Sequence, residues 1–318
     1  METKQLIKAI KTYNPFVEHV TLSTIFSKMK VGDDGFHTIC YGEVGTGKSY
    51  SSIELIKKLN LGNDVFIDNN VTARGLFDLM VDFPAYDFIL DECSKIMKDK
   101  GAQDTIKLTM ERKSVSWIKR RSYEDIVFKG NYVININQHM LDALTDRAFV
   151  NLTMMNKKMA LDFVDYYLEK KDPKQEKEFI EHLQKLLKDV TPIELTKQEM
   201  NYIREFVKKR IEINDENLGY SRRTIIRMIA YFKRVKKLFG KLDKEIKIFI
   251  EPFASVYIEN RRTPTIIDTL LGDEKMEKPA LITLLASEGG YSERHARRIV
   301  DEEIIKGRLK MFGRMVYV

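Results

Sequence analysis

A glycine-rich segment between an apolar run and an amphipathic stretch constrains the fold of this chain more than any other feature. The apolar run covers residues 37–41, and the amphipathic stretch covers residues 51–59. Glycines let backbone N–H groups turn inward around an anion, and a following helix adds the positive end of its dipole. The segment therefore predicts a strand, a phosphate-binding loop and a helix, which is the arrangement of a P-loop. Its expected nucleotide contacts are Gly42, Glu43, Val44, Gly45, Thr46, Gly47, Lys48, Ser49 and Tyr50.

Two side chains of this loop have separate expected roles. Lys48 would reach the β- and γ-phosphates of a nucleotide, and the hydroxyl of Ser49 would bind Mg²⁺. The motif therefore predicts ATP and Mg²⁺ as cofactors. The alternative interpretation is a glycine-rich turn that arose by chance and binds no ligand.

A second apolar run, at residues 86–90, ends in the carboxylates Asp91 and Glu92. A buried strand with an acidic end, downstream of a P-loop, has the form of a Walker B motif. Asp91 would hold Mg²⁺ or its water shell, and Glu92 would polarise the attacking water as general base. The alternative is a buried strand whose acidic end is solvated. Residues 64–68 predict one further short strand.

A third apolar strand is predicted at residues 131–138. A polar residue at its carboxyl end would hydrogen-bond the γ-phosphate or the attacking water, because ligands bind at that end of parallel strands. We assign this role to Asn137. Asn135 would face the same side of the sheet but lie deeper in it. The alternative is a strand that ends in a turn-forming asparagine.

Residues 109–128 predict a β-hairpin, since two β-prone arms flank the basic tip Lys119, Arg120 and Arg121. Three cations at such a tip would suit the sugar-phosphate backbone of DNA. A solvated basic loop is the alternative. Trp117 would pack at the foot of the hairpin or stack on a base.

The order of these parts resembles the minichromosome-maintenance (MCM) helicases and related AAA+ ATPases. Residues 110–116 resemble the segment before their pre-sensor-1 hairpin, and Lys119 falls at their DNA-contacting lysine. Residues 133–137 look like their sensor 1 strand. Residues 144–149 are similar to their arginine-finger segment, so the resemblance implies that Arg147 reaches the γ-phosphate of a neighbouring subunit. It thereby implies a homo-oligomeric ring, expected to be hexameric. An ordinary surface arginine is the alternative.

Residues 161–262 are expected to be helical and resemble the MCM lid. Thr196 and Glu199 form a capping box that predicts the start of one helix. Residues 221–226 look like the sensor 2 segment, which implies that Arg223 or Arg222 touches the nucleotide, and we favour Arg223. Two exposed arginines at a helix start are the alternative.

The last segment, residues 276–318, predicts a winged helix. A helix, a turn, a second helix capped by Ser292 and a hairpin around Gly313 follow one another. A winged helix that contacts protein is the alternative, and His295 is expected to be an ordinary surface residue. The expected DNA contacts are Arg294, Arg297, Arg298 and Arg314.

Composition narrows the setting of this chain. The net charge of +7 is compatible with nucleic-acid binding. Cys40 and Cys93 fall in or beside predicted core strands, which indicates buried thiols and a reducing interior. No apolar run approaches the ~18 residues of a membrane span, and the first residues do not resemble a signal peptide. We therefore expect a soluble, cytoplasmic protein with no membrane partner.

The sequence also departs from the MCM pattern. Within these 318 residues we expect no OB or zinc domain before the P-loop, no CxxC pair occurs, and Gly47 stands where MCM proteins usually have alanine. The stretch between Ser49 and Asp91 looks too short for their helix-2 insertion. The compact form suggests a replication ATPase of an archaeal virus or plasmid, which would act in the host cytoplasm.

Together these features predict an α/β P-loop (AAA+) fold with a parallel sheet, a helical lid and a C-terminal winged helix. The expected boundaries are an ATPase core at 1–160, the lid at 161–262, a linker at 263–275 and the winged helix at 276–318. The predicted function is an ATP-dependent DNA helicase or translocase in replication. The alternatives are an ATP-switched initiator or helicase loader, which binds DNA without unwinding it, and a protein-remodelling ATPase like the MoxR group.

Overall fold

A computed structural model gives the fold of this chain, which divides into two compact units, Met1–Arg261 and Arg262–Val318. Within residues 1–317, the structure describes all positions except 33–34, 43–44, 69, 94, 120–121, 138–143, 145–146, 154–160, 162–163, 165, 167–172, 214–221, 260–269, 272–274, 290–291 and 306–308.

The first unit contains a five-stranded parallel sheet in the order β2-β3-β6-β1-β7 and a separate antiparallel hairpin, β4–β5. Its strands are β1 Thr38–Gly42, β2 Asp64–Ile67, β3 Asp87–Leu90, β4 Ser114–Lys119, β5 Ser122–Val127, β6 Tyr132–Ile136 and β7 Phe149–Thr153. The three central strands are buried along their whole length, because helices cover both faces of such a sheet. The predicted strands at 37–41, 64–68 and 86–90 and the predicted hairpin are confirmed. The strand predicted at 131–138 is observed as β6, Tyr132–Ile136, and residue 138 lies outside the described residues.

Nine helices of the first unit lie within its described ranges. They are α1 Thr3–Tyr13, α2 Glu18–Lys28, α3 Leu55–Leu59, α4 Ala73–Asp82, α5 Lys100–Met110, α6 Pro173–Lys188, α7 Lys197–Ile213, α8 Arg222–Phe239 and α9 Lys244–Glu259. A π-helical turn, Tyr50–Glu54, leads into α3, and a short 3₁₀ turn, Ile96–Lys98, precedes α5. The capping box before α7 is confirmed, since Glu199 N–H donates to Thr196 Oγ1 at 3.2 Å and Thr196 N–H donates to Glu199 Oε2 at 2.7 Å.

The C-terminal helices of this unit share one hydrophobic core with its N-terminal helices. Phe26 of α2, Phe179 of α6 and Phe232 of α8 are buried in the same cluster. Arg234 of α8 is also fully buried, and its Nε donates to the carbonyl oxygen of Phe26 at 2.8 Å. This places a cation at the C-terminal end of α2, where the helix dipole favours it. The predicted boundary between core and lid at residue 160 lies inside this unit and stays a prediction.

The amino-terminal edge of the sheet carries a buried ionic network. Lys28 Nζ lies 2.5 Å from Asp87 Oδ2 at the start of β3 and also contacts Asp64 at the start of β2. Burial alone would raise the pKa of Asp87, but Lys28 and Lys30 outweigh it and hold that pKa below its ordinary value. The network ties neighbouring strands together at the edge away from the P-loop.

The second unit has the predicted order of helix, helix and hairpin, and adds one short strand before them. Its elements are β8 Met276–Glu277, α10 Lys278–Gly289, α11 Glu293–Ile305, β9 Lys310–Phe312 and β10 Met315–Tyr317, with sheet order β8-β10-β9. Gly313 turns the hairpin with φ +64°. Leu281 and Leu285 of α10 pack with Val300 of α11 in its core. Across both units, none of the helices in the described ranges has the length and apolar character that crossing a bilayer requires.

Candidate active site

The glycine-rich loop is held against the end of β7. Gly42 is in register with Thr153, and a Cβ on Gly42 would collide with the Thr153 carbonyl oxygen, so only glycine fits. Thr153 Oγ1 donates to the Tyr41 carbonyl oxygen at 3.1 Å and lies 2.9 Å from Thr46 Oγ1. Sequence reasoning missed Thr153, because nothing in the local pattern shows which strand lies beside the loop. Glu43 and Val44 lie outside the described residues.

Lys48 lies inside the loop. Its side chain is buried, and Nζ donates to the Gly42 carbonyl oxygen at 2.7 Å and to Thr46 Oγ1 at 3.4 Å. An ammonium group at this place can meet the phosphates of a bound nucleotide, as the P-loop pattern requires. Tyr50, another predicted nucleotide contact, stacks on Tyr13 of α1 with ring centroids 5.3 Å apart. Its contact with a nucleotide stays a prediction.

Ser49 and Asp91 are brought together at the carboxyl end of the sheet. Ser49 Oγ donates to Asp91 Oδ1 at 3.1 Å. The two residues follow β1 and β3, which are separated in the sheet by β6. This contact therefore joins the end of the P-loop to the end of the acidic strand, as the two motifs predict.

These oxygen atoms fit a magnesium ion. Mg²⁺ prefers hard oxygen ligands, keeps several waters and is bound through one or two carboxylates together with substrate phosphates. Ser49 and Asp91 supply one hydroxyl and one carboxylate within hydrogen-bond distance of each other. No group of three or more His, Cys, Asp or Glu side chains that could hold a metal occurs among the described residues. The donor set thus suits an ion that takes its remaining ligands from water and phosphate.

Asn135 of β6, which the sequence analysis placed deeper in the sheet than Asn137, contacts the Asp91 carboxylate. Its Nδ2 donates to Asp91 Oδ1 at 3.1 Å and to Ser52 Oγ at 2.9 Å, and the residue is buried. Asn137 lies one residue beyond the end of β6 and is half-buried. The assignment of Asn137 as sensor stays a prediction, but the amide in contact with the carboxylate belongs to Asn135.

Glu92 is exposed at the end of β3 and has a left-handed backbone, with φ +48°. Such a conformation costs on the order of 1–3 kcal/mol for a residue other than glycine and is concentrated at functional sites. The next residue, Cys93, is buried in the core. Glu92 thus combines local strain with access to solvent, which suits a carboxylate that must meet water.

Arg147 lies at the amino-terminal end of the parallel strands, opposite the end that carries the P-loop. It precedes β7, whose first residue, Phe149, is in register with Thr38 at the amino end of β1. The P-loop follows the opposite end of β1, about 13 Å away along the strand at roughly 3.3 Å per residue. Arg147 is buried, and its Nη2 lies 2.5 Å from Glu111 Oε1. It therefore cannot meet a nucleotide in its own P-loop, and its role as finger stays a prediction.

The predicted DNA contacts are described in part. Lys119 is the last residue of β4 and pairs with Ser122 across the hairpin. The structure does not describe the side chain of Lys119, nor those of Trp117, Arg222 and Arg223. Arg120 and Arg121 lie entirely outside the described residues. In the second unit, the arginines predicted to contact DNA are all exposed, as is His295: Arg294, Arg297 and Arg298 on α11, and Arg314 in the hairpin turn.

Cys40 and Cys93 are buried, free thiols, as predicted. Burial raises the pKa of each to about 12, so both remain protonated at neutral pH. Neither thiol is a nucleophile in this structure, and the chemistry of the site depends on its oxygen and nitrogen groups.

Sequence comparisons add no relative to this geometry. No family model matches the chain, and a search of curated proteins finds no match. What the site can do therefore follows from its own contacts.

Proposed function

We propose that this chain is a magnesium-dependent ATPase of the AAA+ type that works as a ring of identical subunits and moves on DNA, as a helicase or translocase in replication. The observation that carries the proposal is the hydrogen bond of 3.1 Å between Ser49 Oγ and Asp91 Oδ1. It unites the two motifs that a P-loop ATPase needs for phosphate and metal.

Each group near this contact has a chemical task in the proposal. Lys48 neutralises charge on the β- and γ-phosphates, and Ser49 and Asp91 hold Mg²⁺. When bound, the ion neutralises the charge that develops on the phosphate oxygens. Glu92 accepts a proton from the attacking water. Asn135 keeps the Asp91 carboxylate in place, because its amide donates to Oδ1, the same oxygen that accepts a hydrogen bond from the Ser49 hydroxyl.

The position of Arg147 supports action between subunits. Arg147 and the P-loop lie at opposite ends of the neighbouring strands β7 and β1. An arginine finger at this position therefore has to act on a neighbouring copy. A finger of this kind is worth about 10³–10⁵ in kcat. Turnover per subunit is therefore expected to rise with protein concentration as the ring assembles.

Two basic regions support DNA as the partner. In the hairpin β4–β5, the first strand ends at Lys119, and Arg120 and Arg121 follow in sequence. The first half of α11 exposes three arginines. Cations of this kind bind phosphates without reading sequence, and their affinity falls steeply with salt. In the proposal the hairpin follows the DNA backbone, and the second unit, interpreted as a winged helix, supplies further contacts.

The test of the ATPase is turnover of ATP with and without Mg²⁺. We expect Lys48→Ala to abolish hydrolysis, whereas Lys57→Ala, on α3 and exposed, leaves it unchanged. Lys57 is a matched control, because its Nζ pairs with Glu54 at 2.7 Å on the surface. A wild-type chain that hydrolyses no ATP with Mg²⁺ present would refute the proposal.

Strand displacement distinguishes the proposed activity from a switch. A translocase displaces a DNA strand and loses this activity when Lys119, Arg120 and Arg121 are neutralised, while its basal ATPase remains. A loader displaces no strand by itself. DNA binding too weak to measure at ~100 mM salt would instead favour a protein substrate, because phosphate contacts would then be negligible.

A further inference from the structure

A nearly buried ion pair lies at the edge of the sheet opposite the P-loop. Oε1 of Glu111 lies 2.5 Å from Nη2 of Arg147, and Oε2 lies 2.5 Å from Nζ of Lys113. The side chains of Arg147 and Glu111 are 8% and 12% exposed, whereas Lys113 is 60% exposed. Salt and water screen a buried pair much less than an exposed one, so the contact with Arg147 is the stronger of the two.

Glu111 stands where the hairpin leaves the body of the first unit. It ends α5, since its N–H donates to the Leu108 carbonyl oxygen at 3.1 Å, and β4 begins three residues later. The intervening Arg112 has a left-handed backbone, with φ +57°, and its Nη1 donates to the Phe128 carbonyl oxygen at 3.1 Å. We call residues 111–113 and 128–130 the hairpin foot. Both arms of the hairpin are therefore joined beside the carboxylate that holds Arg147.

An arginine side chain has several rotatable bonds, and fixing them costs conformational entropy. A carboxylate that already holds the guanidinium removes most of that freedom before the phosphate is met. The geometry required at the γ-phosphate is narrow, and a displacement of about 1 Å can cost on the order of 100-fold in rate. Any movement of the hairpin foot also moves Glu111, because residues 111–113 are part of it.

We infer that Glu111 is a positioning residue for Arg147, and that through it the hairpin sets how Arg147 meets the nucleotide of the neighbouring subunit. The inference rests on the proposed function, in which Arg147 acts between subunits. It adds a route by which DNA bound to the hairpin affects ATP hydrolysis. The hairpin foot moves, and the charge-assisted contact with Glu111 moves the Arg147 guanidinium with it. The rate of hydrolysis in the neighbouring subunit then changes.

The experiment is steady-state ATP hydrolysis by the full chain carrying Glu111→Gln, with and without DNA. We expect kcat to fall on the order of 10- to 100-fold. The KM for ATP should stay within about twofold, because an interaction made only in the transition state affects kcat. The stimulation of turnover by DNA should disappear. The matched control is Glu199→Gln, which also removes a carboxylate from a contact with a cation, at 2.8 Å to Lys236 and with 16% of the side chain exposed.

A double-mutant cycle separates positioning from a general loss of structure. Arg147→Ala and the double variant Glu111→Gln/Arg147→Ala should have the same kcat, because Glu111 acts through Arg147. Thermal unfolding shows whether each variant is folded at the assay temperature. If Glu111→Gln is not folded, Glu111→Asp takes its place, since it keeps the charge but withdraws the carboxylate by one methylene.

Two results overturn the inference while leaving the proposed ATPase intact. The first is a folded Glu111 variant with wild-type kcat and full stimulation by DNA. The second is a double variant that is clearly slower than Arg147→Ala, because Glu111 would then act elsewhere. If instead wild-type turnover does not depend on protein concentration, the action of Arg147 between subunits fails, and the inference fails with it.

Discussion

The side-chain amide of Asn135 lies 3.1 Å from Asp91 Oδ1, the same oxygen that accepts the hydroxyl of Ser49. One carboxylate oxygen is therefore held from two sides, by the central strand β6 and by the residue that follows the P-loop lysine. Because both donors are fixed by the sheet and the loop, the direction of the Asp91 carboxylate depends on their relative position. A shift of the P-loop thus changes the orientation of the Asp91 carboxylate, the candidate metal ligand.

Replacing Asn135 should impair hydrolysis more than replacing Asn137. We expect Asn135→Ala to lower kcat about 10-fold or more, since positioning errors at a site of this kind are costly. It should also lose about 1–3 kcal/mol of stability, because a buried acceptor loses its donor. Asn151→Ala is the control, as Asn151 is a buried asparagine of β7 that donates to Ser23 Oγ at 2.8 Å. Wild-type turnover in Asn135→Ala together with loss in Asn137→Ala would contradict this expectation and support Asn137 as the sensor.

Glu92→Gln should bind ATP but fail to hydrolyse it. Removal of a general base typically costs 10²–10⁴-fold in rate, roughly, while the phosphate contacts of the P-loop stay intact. The measurements are ATP binding by titration calorimetry and product release by the same sample. Glu54→Gln is the control, because Glu54 is a carboxylate on the π-helical turn that pairs with Lys57. Full turnover in Glu92→Gln would show that another group activates the water.

Gly47 should resist replacement by alanine because of Asn14. A Cβ on Gly47 would lie 2.8 Å from Asn14 Nδ2, whereas nothing lies within 4 Å of a Cβ on Gly45. Both glycines have positive φ, +81° and +83°, so each alanine costs about 1–2 kcal/mol in backbone strain. Gly47→Ala should therefore lose more unfolding free energy than Gly45→Ala, and adding Asn14→Ala should remove the difference. Equal losses in the two single variants would show that Asn14 yields freely.

Acid should destabilise the first unit through His37. Burial, with Arg112 next, holds the pKa of His37 well below its ordinary value of 6.5. Its Nδ1 accepts from Tyr132 N–H at 3.2 Å, and its Nε2 lies 3.1 Å from the Met110 carbonyl oxygen. The unfolded chain therefore binds a proton that the folded chain refuses. Stability should be complete above pH 6.5 and fall by up to about 1.4 kcal/mol per pH unit below it.

The measurement for His37 is denaturant unfolding at several pH values between 5 and 8. His37→Gln removes the titrating group and should make the pH dependence shallower. A slope in His37→Gln equal to that of the wild type would contradict the assignment.

Local patterns were sufficient to single out the candidate site residues that follow β1 and β3. Lys48 and Ser49 were identified by the glycines before them, and Asp91 and Glu92 by the apolar run that they end. Such signals depend on backbone conformation and on periodicity within one element, which neighbouring residues largely decide. The hairpin and the capping box before α7 could be predicted for the same reason.

Asn135 shows where this kind of reasoning fails. A strand pattern says which residues share a face, but it does not say how far the side chain of Asp91 reaches toward the neighbouring strand. Glu111 was missed for a related reason, because its partner Arg147 lies across the hairpin and β6 in sequence. Contacts between residues so far apart depend on packing, which no short window of sequence contains.

By itself, the sequence determined four of the five strands of the parallel sheet and the hairpin, and which of them end in glycine-rich or acidic segments. Only the tertiary structure decided the strand order β2-β3-β6-β1-β7, which puts β6 with Asn135 between β1 and β3. It also decided the register of β7 on β1, which leaves Arg147 at the amino end of the sheet, opposite the P-loop. The physical reason is that conformation and apolar periodicity are local properties. The choice of neighbouring strand is made by the burial of whole surfaces.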